Sequence, residues 1–250
     1  MLEKYTDILY NQIINTEYHK KRQKGWIIMK KIIAKSLDDA SQALKAIADE
    51  ISALPEMKFS DIKKDNAVLI IVDVVNGFVR EGAMASPDIE SIIPNTAALM
   101  KKFNENEIPV VAFADCHKKD CAEFKAFPEH CVEGTSESEL VDELKKEGGY
   151  FLLKKNSTNG FHEKEFMQCL IQNPQTNTII ITGDCTDICV LQLCLTLKTW
   201  YTQQNRSVDI IVPVDCVETY DAPNHNGALM NIAAYKLMSD SGIKFVKTIK

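Results

Sequence analysis

The sequence predicts a single three-layer α/β/α domain with a mostly parallel six-stranded sheet, preceded by a helical amino-terminal extension. Three observations lead there. From Asn66 onward, short β-branched apolar runs alternate with amphipathic segments, the pattern of strands joined by helical crossovers. Within the runs hydrophobicity is continuous, not alternating, as in strands buried on both faces. Residues 1–65 lack such runs and carry apolar residues at helical spacing instead.

The extension contains two helical stretches, Leu2 to Ile14 and Ser36 to Leu54, separated by the basic run HKKRQK (19–24) and a GWII segment. Ser36, with Asp38 and Asp39 after it, suits a helix start, and Pro55 suits its end. Met29, followed by KKIIAK, offers an alternative start, which would make residues 1–28 a vector or annotation artefact. The domain proper is then 66–250. Its strands are AVLIIVD (67–73), PVVAFAD (109–115), YFLLK (150–154), TIIITGD (178–184), VDIIVPV (208–214) and a weaker KFVKT (244–248). Helices fall near 91–106, 136–147, 163–173, 187–204 and 224–240.

Composition narrows the function. With 45% hydrophobic and 26% charged residues the chain is an ordinary globular protein. Its 29 basic against 35 acidic residues, net charge -6, argue against a nucleic-acid partner, which would need many phosphates neutralised. No stretch approaches the ~20 apolar residues of a membrane span, and the start lacks a secretory signal, so a soluble cytoplasmic protein is expected, with no membrane partner. In that reducing setting most of the eight cysteines should be free thiols.

In open α/β sheets ligands bind beyond the carboxyl ends of the strands. Three strands end suggestively: Asp73 closes the first, Lys154 and Lys155 close the third, and Cys189 follows the fourth at a helix start. A helix start favours thiolate, with Thr186 or Asp187 as the amino-terminal cap and the free N–H groups of the turn as oxyanion donors. An ammonium and a carboxylate nearby would complete a nucleophilic site. Asp115, His117, Glu123 and His130 form a set of oxygen and imidazole groups suited to a divalent ion.

The strings VDVVNGF, DCH, EFKAFPEHCVEGT, KNSTNGF and TGDCTDICV, in this order, resemble the isochorismatase-like cysteine hydrolases, which include nicotinamidases, N-carbamoylsarcosine amidases and isochorismatases. The resemblance spans about residues 66–220 and is most specific at TDICV (186–190). It implies Cys189 as nucleophile, Asp73 as general base and Lys155 as the third member, counted back from Phe161. Lys154, its neighbour on a pleated strand, would face the other way. It further implies a non-proline cis peptide joining Asp184 to Cys185, so that the N–H of Cys185 joins that of Cys189 in an oxyanion hole. By the same likeness to nicotinamidases, Phe78 and Phe127 flank a substrate ring, and Asp115, His117, Glu123 and His130 hold a metal, zinc first, with iron or manganese as alternatives. No organic cofactor is required.

The chain departs from the family pattern in two places. Val75 and Gly77 replace residues of the commoner D-x-Q-x-D-F motif, and Asp184 and Cys185 stand where small or apolar residues are usual. The expectation is a metal-assisted amidohydrolase of a small planar carboxamide, nicotinamide first, working through a thioester. Its rivals are a metal-independent N-carbamoyl or other amide hydrolase and a catalytically silent binding or scaffold protein. Amphipathic helices outside a complete sheet need apolar surface to cover, which favours a homo-oligomer.

Overall fold

The computed structural model describes residues 20, 22–24 and 37–250. The helix expected over residues 2–14 and the GWII segment lie outside the described residues. Helix α1 (Leu37–Ser52) falls inside the span expected for the second helix of the extension. By compactness the chain divides into Met1–Ala48 and Asp49–Lys250.

The larger unit is one sheet, order β3-β2-β1-β4-β5-β6, with every neighbouring pair parallel. Its strands are β1 (Ala67–Val72), β2 (Val110–Asp115), β3 (Phe151–Lys155), β4 (Thr178–Gly183), β5 (Asp209–Pro213) and β6 (Lys244–Val246). Between them lie α2 (Ile93–Glu105), α3 (Asp142–Glu147), α4 (Lys164–Gln172), α5 (Leu191–Gln203) and α6 (Gly227–Asp240). The helices cover both faces, as parallel strands require. The central runs Leu69, Ile70, Ile71 and Ile179, Ile180, Ile181 are fully buried, and Met100 and Phe103 of α2 join Leu69 and Ile71 in one core.

Four expectations need correction. Continuous hydrophobicity suggested two buried faces for β3, but Phe151 is 73% and Leu152 47% exposed, because β3 is the edge of the sheet. Helix α3 starts only at Asp142, after a separate 3-10 turn at Ser136–Ser138. Residues 55–65 belong with the sheet unit: Met57 and Phe59 donate backbone hydrogen bonds to Thr248 and Lys250, and Phe59 packs edge-on against Phe103. The seam expected at residue 66 therefore lies before them. Cys189 sits in a π-helical turn, Thr186–Val190, ahead of α5 and not in its first α-turn.

Where β4 meets that turn, Gly183 (φ 111°) lies so close to β1 that a Cβ would fall 1.9 Å from the Val72 carbonyl oxygen. Only glycine fits between the two central strands here. Gly183→Ala is expected to destabilise the fold by ~3 kcal/mol or more, seen as a large drop in thermal midpoint or loss of soluble protein.

Candidate active site

Parallel strands put all their carboxyl ends on one edge, and the four consecutive neighbours β3, β2, β1 and β4 deliver the site there. Asp115 and Lys155 are register partners on β2 and β3, so their side chains leave the same face. Lys155 Nζ lies 2.6 Å from Asp115 Oδ1 and 2.9 Å from Asp73 Oδ2, and donates to the Ser157 carbonyl at 3.0 Å. It also stands 3.8 Å from Cys189 Sγ. Lys154, one residue back, points to solvent and meets Glu133 at 3.5 Å. The pleat argument for Lys155 agrees with this placement.

All four groups are buried. Burial opposes the Lys155 charge, yet Asp73, Cys189 and Asp115 hold the ammonium well above its ordinary range. Burial pushes the Asp73 carboxyl up to about 6, with Lys155 pulling it down and Asp115 pushing it up. At neutral pH this carboxyl is a base. Burial also drives the Cys189 thiol well above its ordinary value, more than Lys155 can offset. Sequence reasoning expected a helix start and Lys155 to favour thiolate; desolvation wins, and the resting group is a thiol. Asp73 and Cys189 each shift the other's proton affinity, so they are near neighbours.

The Thr186–Val190 turn differs in detail from expectation. No side chain caps it: the Cys185 carbonyl accepts from Ile188 and Val190, and the Thr186 hydroxyl has no hydrogen-bond partner. Asp187 reaches away, accepting from Thr219 at 2.6 Å and meeting His225 Nε2 at 2.9 Å. The Asp184–Cys185 peptide is cis, as the resemblance implies. The Cys185 N–H donates to no backbone carbonyl among the described residues, which suits an oxyanion donor. Asp184 is fully buried with no partner for either carboxyl oxygen, and burial, then Asp73, push it well above the carboxylate range.

Asp115, His117, Glu123 and His130 come together as expected, one ligand atom from each within 4.8 Å of the others. His117 Nε2 and His130 Nε2 lie 2.8 and 3.0 Å from the same Asp115 Oδ2, and Glu123 Oε1 is 3.8 and 3.9 Å from the two rings. The His130 Nδ1–H donates to the Pro128 carbonyl at 2.7 Å, and His117 Nδ1 meets Asn156 Oδ1 at 3.0 Å. With Nδ1 as the donor, each neutral ring turns an Nε2 lone pair toward a carboxylate oxygen. Either both rings take a second proton or a cation sits between. Burial opposes the first course, but the hydrogen bond and charge of Asp115 outweigh it at both rings, raising His130 and bringing His117 to about 9. Two imidazoles oriented by outer hydrogen bonds, with two carboxylates, fit a divalent ion. Neither histidine is a surface residue, since His117 is 0% and His130 2% exposed.

A narrow cavity joins the two halves, lined by Phe78, Phe127, Asp115, Glu123, His130, Cys185 and Cys189, and by Met84, Thr158, Ile188 and Tyr220. Phe78 and Phe127 thus line the same cavity as the Cys189 thiol. The last four residues carried no signal in sequence. Gly77, a departure from the commoner motif, has a structural reason: a Cβ there would come within 2.6 Å of Cys131 Sγ. All eight cysteines are free.

The isochorismatase domain family matches residues 67–240. Nicotinamidase 1 of Arabidopsis thaliana is 34% identical over 185 residues, 66% of this chain and 74% of the relative. The N-carbamoylsarcosine amidase of Thermoplasma acidophilum shares the fold with a TM-score of 0.60 at 25% identity, over 73% of this chain and 96% of that one. The pyrazinamidase of Pyrococcus horikoshii, solved in complex with zinc, shares it with a TM-score of 0.60 at 24% identity, over 73% and 99%. No helix among the described residues is long and apolar enough to cross a membrane. By its sheet order, its family match and its relatives, the chain belongs to the isochorismatase family, in its nicotinamidase-like branch of amide-bond hydrolases.

Proposed function

We propose that this protein hydrolyses a small planar carboxamide, nicotinamide first, to the carboxylate and ammonia through a thioester on Cys189. The observation that carries this is a single cavity lined by Cys189, Phe78 and Phe127 together with Asp115, Glu123 and His130, three of the four groups suited to a divalent ion. The 34% identity to a plant nicotinamidase supports the same substrate.

Cys189 Sγ attacks the amide carbon while its proton passes to Asp73, and the carbonyl electrons move onto oxygen. The N–H groups of Cys185 and Cys189 receive that oxyanion. Asp73 then gives the proton to the departing nitrogen, ammonia leaves, and the thioester remains. Water attacks the thioester with Asp73 as base, and the proton returns to sulfur as the acid departs. Lys155 stays charged throughout, holding Asp73 in place and keeping its carboxyl low enough to be ionised at neutral pH. A flat ring between Phe78 and Phe127 gains burial and edge or offset contacts. Asp115, His117, Glu123 and His130 would hold a divalent metal, zinc first, which when bound supplies a Lewis-acid position for a ring nitrogen.

An amide panel assayed for ammonia tests the substrate. Nicotinamide is expected to turn over, and Cys189→Ala to lower the rate by ~10³-fold or more with an unchanged thermal midpoint. Turnover of N-carbamoyl substrates alone would replace the nicotinamide reading with the carbamoyl one.

Lys155→Ala is expected to cost far more activity than Lys154→Ala, because only Lys155 touches Asp73. In the wild type kcat/KM should fall as pH drops through about 6, where Asp73 takes up a proton. The Lys155 ammonium lowers the Asp73 value, so in the Lys155 variant this limb should move to higher pH. Equal losses at the two lysines, or an unmoved limb, would refute the assignment.

His117→Ala and His130→Ala should each strip the metal from a protein that otherwise binds about one ion per chain, read by elemental analysis. A chelator should slow a ring-nitrogen amide more than one lacking that nitrogen. Metal-free protein purified without chelator would refute this.

A further inference from the structure

One cluster beside the nucleophile turn has no part in the chemistry above. Asp187 belongs to the TDICV turn, two residues before Cys189, and its side chain is 4% exposed. One carboxylate oxygen accepts from the Thr219 hydroxyl at 2.6 Å, and the other lies 2.9 Å from His225 Nε2. The opposite ring nitrogen of His225 donates to the Tyr220 carbonyl at 2.9 Å. Ala222 and His225 exchange backbone hydrogen bonds at 2.9 Å each, so residues 219–225 form a tight strap. Behind the strap, the Thr186 N–H donates to the Glu218 carbonyl at 3.0 Å.

The His225 ring also lies flat against that of Tyr220, with centroids 3.9 Å apart and planes 11° from parallel. Tyr220 in turn lines the substrate cavity beside Cys189. A tyrosine backed by a ring bonded at both of its nitrogens has lost the freedom to swing aside. Such preorganisation matters most where a flat ligand must enter a narrow space.

We propose that Asp187 and His225 latch the strap 219–225 to the nucleophile turn, making Tyr220 a fixed wall of the substrate slot that selects flat ring amides. This deepens the amidase reading and rests on it for the substrate. Asp187 and His225 are positioning residues; Tyr220 is the specificity residue. The TDICV turn then carries the nucleophile and, through Asp187, the anchor of the opposing wall.

Two readouts test the latch. The first is the split between KM and kcat for nicotinamide. The second is the ratio of alkylation rates at Cys189 by iodoacetanilide and by the smaller iodoacetamide, read by peptide mass spectrometry. The ratio cancels any change in thiol pKa, so it reports the shape of the slot alone. Tyr220→Ala and His225→Gln are expected to raise KM about tenfold, with a smaller fall in kcat, and to raise the alkylation ratio several-fold. Tyr220→Phe, which keeps the ring, should restore most of both. Should His225→Gln fold poorly, Asp187→Ala removes the contact to His225 altogether and should move both readouts the same way.

A folded His225 or Asp187 variant with an unchanged ratio overturns the proposal. So does a loss confined to kcat, which would assign the pair to the nucleophile turn instead of the wall. If the wild type releases no ammonia from nicotinamide, the substrate reading fails, and the alkylation ratio alone decides the latch.

Discussion

The buried ammonium of Lys155 is the constraint on which the rest of the site depends. It is 1% exposed and lies between Asp115 and Asp73 at 2.6 and 2.9 Å. A charge buried this deeply persists only with partners, and removing one partner of such a pair typically costs ~3–5 kcal/mol. The parallel sheet supplies those partners cheaply, since the carboxyl ends of β1, β2 and β3 sit side by side. Asp115 then serves two sides at once: Oδ1 meets Lys155, while Oδ2 faces His117 and His130. The His117–His130 cluster and the Lys155–Asp73 pair are therefore coupled through one carboxylate. Loss of either histidine should be felt at Lys155, although neither ring touches it.

Much of this was legible in sequence where it depended on local pattern. The β-branched runs gave β1, β2 and β4 to within a residue or two, because central parallel strands have no other way to be written. Lys155 was separable from Lys154 because the pleat forces neighbours apart, and the register of Asp115 with Lys155 bears this out. Asp115 and His117 share a strand end and Glu123 and His130 share the loop after it, so the donor set was visible as spacing. What depended on tertiary placement was not visible. The exposure of Phe151 follows from β3 being an edge, a fact of strand order. The partners of Asp187 lie 32 and 38 residues away, at Thr219 and His225, with no periodicity to announce them.

The protonation of the site was the larger surprise, and it follows from burial. Local reasoning set a positive helix end and an ammonium beside a cysteine and expected thiolate. In the folded protein desolvation of the buried sulfur is the largest influence on the thiol, and the pull of Lys155 comes second and does not offset it. Asp73, Asp115 and Lys155 together carry one net negative charge, which opposes a second anion at Cys189. Burial, then Asp73, push the Asp184 carboxyl well above its ordinary range as well.

A protonated thiol beside a carboxylate near 6 suits amide hydrolysis better than a preformed thiolate would. The difficult step is expulsion of the amine, which needs a proton delivered as the bond breaks. A thiolate formed in advance would have passed that proton to solvent, leaving Asp73 ionised and nothing to donate. In the proposed reaction the proton moves from Cys189 to Asp73 only as sulfur attacks, and is held a short distance from the nitrogen that needs it next. The burial that makes the thiol a poor acid thereby keeps the proton inside the site, and a carboxyl raised to about 6 can both accept it and give it up at neutral pH.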